Sequence, residues 1–307
     1  MNTELQSAPI RYRSPGYAAL NVTDLDRAQV WYRDIMGAQL NGTTEDGGLM
    51  LRTGGMDSYS LLLYGAAQAG MKRVGWLLED ETQFQVLTDR LDRHQVAWRE
   101  LSAAECATTR LERAVRMIDP ITGLTLDFYV RMEQAASAFV PTVTHLEGLC
   151  HVGIGTDRYR DAIRFYEDVL NFKTSDEIDG RINLMRCFPN PLHHSFALAN
   201  APRNTLHHLN FMVSDDRDMV AARARFAEHQ VPVVWDGHHP PSGNTFLFFL
   251  DPDGLSLEYG HGMELFPEIG ARARRVFPAR PESFDSTGAH RDERTAAVGE
   301  IEVQCLT

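Results

Sequence analysis

The residues able to do chemistry are concentrated in three short runs of the second half of the chain. They are Cys150-His151-Val152-Gly153-Ile154-Gly155, Leu206-His207-His208-Leu209-Asn210-Phe211-Met212-Val213, and Phe248-Phe249-Leu250-Asp251-Pro252-Asp253-Gly254-Leu255-Ser256-Leu257-Glu258-Tyr259. Each sets a metal-competent side chain in otherwise apolar sequence. A carboxylate flanked by Leu257 and Tyr259 is costly to desolvate unless it is paired or bound to a cation. Two imidazoles and one carboxylate form the ligand set of a mononuclear non-haem iron(II) site with open positions. The ordinary role of a histidine in a strand is that of a hydrogen-bonded core residue, so the relation among the three runs has to decide.

Each run reads as a strand from its dense apolar and aromatic content, the third broken by an Asp-Pro-Asp-Gly turn. Residues 1–13 read as a polar leader and 16–22 as a strand. Thr23-Asp24 reads as a helix start, with Asp26 in the first turn, and the helix runs over 25–36 to end near Gly37. The segment 17–37 recurs 134 residues later as 151–171: Ala28, Tyr32 and Asp34 return as Ala162, Tyr166 and Asp168, and Trp31 as Phe165. Thr156-Asp157 repeats the helix start displaced by one position, which a one-residue length change at the turn explains. This is an internal repeat. A second pair joins 74–78, a helix at 83–94 and 119–128 to 208–212, a helix at 219–229 and 251–259. Both members carry His-Gln-Val after the helix, at 94–96 and 229–231. Strand, helix and further strands are thus written four times, near 14–65, 72–130, 149–200 and 206–260, with 131–145 as a linker.

The repeat acts as a control. The position of His151 is Tyr17 in the first half (Ala18 if the shift is applied), that of His208 is Val74, and that of Glu258 is Asp127. Equivalent strands therefore do without histidine, whereas a purely architectural need for it should show in both halves. All three ligand candidates fall in the C-terminal half.

Composition narrows the classes. The 307 residues carry a net charge of −12 and no large basic cluster, which argues against nucleic-acid or anionic-membrane partners. No apolar run approaches the roughly 20 residues of a membrane-spanning helix. The four cysteines are scattered without a CxxC pair, so they read as reduced thiols of a cytoplasmic protein. The 12 histidines include the pairs His193-His194, His207-His208 and His238-His239.

Four βαβββ modules with His, His and Glu only in the second pair resemble the vicinal oxygen chelate superfamily, and within it the two-domain type I extradiol catechol dioxygenases. The resemblance rests on the three runs above and covers about residues 14–262. It implies an α+β fold of four βαβββ modules paired into two domains, each a curved mixed sheet around a cavity. The expected division is a structural domain at 1–135 without a metal site, a catalytic domain at 145–270 and an extended arm at 271–307. By the same resemblance the later histidine of the His-His pair is the ligand, giving His151, His208 and Glu258 on Fe(II), with Mn(II) as the alternative ion. His194, 14 residues before His208, takes the family's catalytic acid/base position, with His193 as the fallback and otherwise a candidate substrate contact. His239, 19 before Glu258, is a further active-site histidine beside the substrate. The family's usual tyrosine, ten before the metal glutamate, is Phe248 here. The resemblance implies extradiol cleavage of a substituted catechol by dioxygen, and homo-oligomers are common among its members. The nearest branch acts on 2,3-dihydroxybenzoate or dihydroxy-p-cumate. A carboxylated catechol would want a cation, for which Arg181 and Arg186 are candidates. The rival readings are a non-redox, glyoxalase-like metal isomerase and a metal-free protein that sequesters a small molecule.

Overall fold

Two eight-stranded sheets, each written by two modules, make up the body of the computed structural model, which describes residues 8–306; residues 1–7 of the expected leader lie outside the described residues. The first module is β1 (Tyr12–Val22), α1 (Leu25–Asp34), β2 (Gln39–Thr43), β3 (Leu49–Arg52) and β4 (Leu61–Gly65). The second is β5 (Gly70–Leu78), α2 (Thr82–Arg93), β6 (Trp98–Glu100), α3 (Ala103–Thr109), β7 (Ala114–Ile118) and β8 (Thr125–Tyr129). The third is β9 (Leu146–Thr156), α4 (Tyr159–Asp168), β10 (Phe172–Ile178), β11 (Ile182–Cys187) and β12 (Phe196–Asn200). The fourth is β13 (Thr205–Val213), α5 (Asp216–Glu228), β14 (Val233–His238), β15 (Thr245–Leu250) and β16 (Ser256–His261). β17 (Arg275–Phe277), α6 (Pro281–Phe284) and β18 (Glu300–Ile301) follow.

The strand order is β2-β3-β4-β1-β5-β8-β7-β6 in the first sheet and β10-β11-β12-β9-β13-β16-β15-β14 in the second. At each centre an antiparallel pair is flanked on both sides by parallel partners. The result is the mixed, β-rich α+β architecture that the resemblance implies. β1 begins at Tyr12, inside the stretch read as leader, because Tyr12 packs edge-on against Phe172 and Trp76 in the core.

The repeats bond crosswise. In α1, Tyr32 donates to Asp251 of the fourth module at 3.0 Å, and its counterpart Tyr166 in α4 donates to Asp119 of the second at 3.0 Å. Likewise Arg90 of α2 reaches the C-terminal carbonyl region of α4, and Arg225 of α5 that of α1. Each repeated Asp-Pro turn is therefore also a joint between the halves.

Two sequence expectations change. β1 and β9, and α1 and α4, all keep the constant offset of 134, so the turn before the helix has no length change. Only the cap differs: the Asp24 side chain accepts from Arg27 N, whereas the equivalent Arg158 makes no side-chain cap. α3 was not anticipated, although its capping box, Ser102 with Glu105, is present in the sequence. The last residues lie on the body. β17 runs parallel to β10, pairing Arg275 with Asp176, and Glu300 of β18 pairs with both Thr205 and Gly70. Gly70 is obligatory there, since a Cβ would meet the Glu300 carbonyl at 2.0 Å.

Candidate metal centre

Alternation along β13 sends Leu209 and Phe211 into the helix-covered core and His208 and Asn210 to the opposite face. Asn210 is in register with His151 on β9 and with Glu258 on β16, so the three strands bring the two imidazoles and the carboxylate onto one face. His151 Nε2 lies 2.7 Å from His208 Nε2. Glu258 Oε2 lies 3.1 Å from His208 Nε2 and 3.3 Å from His151 Nε2. Gly153 makes room for this, because a Cβ there would sit 2.5 Å from the His208 ring.

These residues fit a metal ion. Their exposures are 2%, 4% and 1%, and both Glu258 oxygens and His151 Nδ1 have no conventional hydrogen-bond partner despite complete burial. Ligand atoms about 2.1 Å from an ion and at right angles lie about 3.0 Å apart, the spacing of a facial triad; the three observed separations bracket it. A buried carboxylate facing two imidazoles has no guanidinium or ammonium beside it among the described residues. Burial alone would raise the Glu258 carboxyl, but the His151 and His208 rings facing it hold it well below the usual range. Burial lowers His151 to about 4 despite Glu258, which leaves the imidazole neutral as a ligand must be. His207, the other half of the pair, turns away to contact His208 through Nδ1 at 2.7 Å.

Around the triad the remaining candidates separate. The His194 ring lies 4.2 Å from that of His151, buried, and its Nδ1 is 3.1 Å from His193 Nδ1. His193 has both nitrogens engaged, one by His194 and the other by Asp176 at 2.9 Å, so it stands behind His194. His239 Nδ1–H donates to the Phe284 carbonyl at 2.6 Å, leaving Nε2 turned towards Glu258 Oε1 at 3.8 Å. The His239 ring stacks on Phe246 at 3.7 Å. Phe248 sits 5.0 Å from the His208 ring and 5.5 Å from Trp235, within an apolar wall of Trp235, Phe246 and Phe248. Arg181 is exposed at the β10–β11 turn and is not brought to this cluster. Arg186 is buried against Phe188 and Phe266, with Nε and Nη1 lacking acceptors.

Sequence reading missed Asp176, Arg272 and Trp235. Asp176 and Arg272 lie on an arm-to-sheet contact that no local pattern announces. Trp235 was detectable only as an aromatic shortly before His238-His239.

The N-terminal half fills the same positions differently. β5 pairs Gly75 with both Tyr17 and Asp127, as β13 pairs Asn210 with His151 and Glu258. Tyr17 therefore matches His151 and Asp127 matches Glu258, but His208 matches Arg73, not Val74 as the repeat had suggested. Asp127 is fully buried. It takes the Arg116 guanidinium through two bonds of 2.6 and 2.7 Å and the Tyr17 hydroxyl at 2.6 Å, with Arg73 Nε at 3.8 Å. Protein cations thus face the carboxylate of the first half, where the second half sets two imidazoles.

Residues 148–259 match the Glyoxalase/Bleomycin resistance protein/Dioxygenase superfamily. The chain is 26% identical over 269 residues to a 1,2-dihydroxynaphthalene dioxygenase of Sphingobium xenophagum, covering 82% of this chain and 89% of that one. It is 24% identical to an iron-dependent extradiol dioxygenase of Rhodococcus jostii (strain RHA1), covering 81% and 88%. Its fold is that of homoprotocatechuate 2,3-dioxygenase from Arthrobacter globiformis (TM-score 0.85, 17% identity, 97% and 96% covered). A Mn(II)-bound glyoxalase from Novosphingobium aromaticivorans also shares it (TM-score 0.83, 20% identity, 97% and 98% covered). Residues 148–259 thus form a domain of the glyoxalase/bleomycin resistance protein/dioxygenase superfamily.

Proposed function

We propose that the protein is an iron(II)-dependent extradiol dioxygenase that opens the ring of a substituted catechol. His151, His208 and Glu258 hold the ion, with manganese(II) as the alternative. The observation that carries the reading is the convergence of three buried donor groups, two of them histidines absent from the equivalent positions of the other half, around a carboxylate with no cation of its own. When bound, iron(II) supplies a cationic centre with open positions that gathers a catechol's two oxygens and dioxygen and lets electrons pass between them.

The protein's residues supply the rest. His194 is placed to take a proton from a catechol hydroxyl and return it later. His239, its Nδ1–H held on the Phe284 carbonyl, offers Nε2 as acceptor to the bound diol. Trp235, Phe246 and Phe248 wall the aromatic ring, and the near-complete burial of the triad keeps water from the reacting atoms. Both atoms of dioxygen enter the product as the carbon–carbon bond beside the diol breaks, giving a muconic semialdehyde. The unsatisfied guanidinium of Arg186 supports a catechol bearing a carboxylate. The free cysteines Cys106, Cys150, Cys187 and Cys305 support a reducing, cytoplasmic setting. The exposed Leu265, Ile269 and Val276 support a homo-oligomer.

The test is anaerobic loading with Fe(II), then 2,3-dihydroxybenzoate, 3-methylcatechol or 2,3-dihydroxybiphenyl in air. Oxygen uptake equal to catechol consumed, with a yellow product and loss of both in His208→Ala, is the expected result. Metal bound without oxygen uptake would sink the dioxygenase and leave a non-redox metal enzyme; no metal bound would leave a binding protein.

A further inference from the structure

We infer that Asp176 and His193 form a positioning relay that fixes which nitrogen of His194 carries a proton, an inference resting on the proton-handling role proposed for His194. The three side chains run in line beneath the site. Asp176 Oδ2 is 2.9 Å from His193 Nε2, and His193 Nδ1 is 3.1 Å from His194 Nδ1. Their exposures are 0%, 0% and 3%. His194 makes no other hydrogen bond among the described residues.

The order of donors follows from charge. Asp176 also receives Arg272 Nη1 and Nη2, each at 2.9 Å, and Arg275 through its backbone N at 2.8 Å and Nη2 at 2.6 Å. A carboxylate under two guanidiniums stays ionised and can only accept. His193 must therefore donate Nε2–H to it. A third cation at this spot would gain little from an acid already neutralised and would carry the full cost of burial; burial indeed lowers His193, in spite of Asp176. A neutral His193 protonated on Nε2 has a bare Nδ1, so the proton in the 3.1 Å contact belongs to His194 Nδ1. Proton exchange by His194 is then confined to Nε2, the nitrogen left to the site. The opposite order, a charged His193 donating from both nitrogens, would leave the His194 proton on the wrong side. Asp176, His193 and Glu264 also converge in the manner of a metal cluster, but Arg272 and Arg275 already supply the cations there.

The relay makes the C-terminal segment part of the site. Arg272 and Arg275 lie beyond β16, the last strand of the fourth module, beside and on β17, yet they hold the acid that orders two histidines next to the triad.

Nitrogen-15 NMR of the zinc-loaded protein, labelled at histidine, reads the assignment without turnover. Expected are a protonated Nδ1 and bare Nε2 for His194, and the reverse for His193. His193→Asn, whose oxygen can stand in for Nδ1 as acceptor, keeps the His194 pattern; His193→Phe, which fills the space without an acceptor, mixes it. In the iron-loaded protein, His193→Phe lowers kcat by on the order of 100-fold, the low end for a mis-set acid/base, with KM within about threefold, and Asn recovers kcat to within about tenfold of wild type. A wild-type His194 protonated on Nε2, or a Phe variant that keeps both the pattern and kcat, overturns the relay. The expected NMR pattern with no oxygen uptake from any catechol would refute the ring-cleavage reading alone.

Discussion

Replacing Arg116 by Met should cost the fold about 3 kcal/mol and leave the metal centre intact. Asp127 has no exposure, and Arg116 supplies two of its short charge-assisted bonds. Breaking a buried pair from one side typically costs about 3–5 kcal/mol, because the surviving charge is stranded. Tyr17 and the more distant Arg73 still face Asp127, which places the loss at the low end. The effect carries a pH signature. Burial works to raise the Asp127 carboxyl, but Arg116, with Arg73 and Tyr17, holds it below its ordinary value. A depressed carboxyl contributes stability that is present above the unfolded pKa and lost as pH falls through the folded one. In the variant the carboxyl rises instead, so the gap between the two proteins should be full at neutral pH and narrow in acid, where Asp127 can protonate. Urea titration followed by the fluorescence of buried Trp76 on β5, at several pH values, measures this. Iron content and oxygen uptake under native conditions should match wild type. A loss under about 1 kcal/mol, near the value of a surface pair, would refute the idea that protein cations fill the first half's version of the site. So would an unchanged stability accompanied by lost iron.

Glu258→Gln should reduce iron affinity more than the roughly 100-fold typical of losing an outer partner; metal analysis of the reconstituted variant decides, and an unchanged iron content would count against Glu258 as a ligand. Phe248→Tyr should change turnover by less than tenfold, about 1.4 kcal/mol, because the site already holds His194 and His239; a larger gain in kcat would show that the hydroxyl is a missing part. Arg186→Met should raise KM for 2,3-dihydroxybenzoate by on the order of tenfold, the loss of one charge-assisted bond, while sparing 3-methylcatechol; equal effects on both would remove Arg186 from substrate recognition. Burial raises Asp251 to about 6. A carboxyl raised above its unfolded value binds a proton in the folded state first, so wild type should gain up to about 3 kcal/mol over Asp251→Asn between pH 7 and 4. Denaturant titrations at the two pH values that show no relative gain would contradict this.

How much of this was legible depends on the distance over which each feature is written. The module pattern and the three ligand runs are local, and strand periodicity with a repeat exposed them. The misplacement of Val74 shows the limit. The two His-Gln-Val runs stand 135 apart, and that offset carries His208 back to Arg73, whereas the offset of 134 that relates β1 to β9 leads to Val74. Correcting it changes the meaning of the control: the first half is not merely short of histidine but has a guanidinium where the second has a ligand. Asp176 was invisible for a different reason. Nothing in Thr174-Ser175-Asp176-Glu177 distinguishes a strand facing solvent from one covered by an arm some hundred residues later. The Tyr32–Asp251 and Tyr166–Asp119 bonds were hidden likewise, although each residue was noted as part of a repeat, because the repeat says which residues are equivalent and not which ones meet. Equivalence is nonetheless what exposes the chemistry. Two halves with one backbone plan set a carboxylate at one buried point; the first answers it with the guanidiniums of Arg116 and Arg73, the second with two imidazoles in the spacing of metal ligands. That difference of charge, more than the presence of any one histidine, makes the second half a metal site.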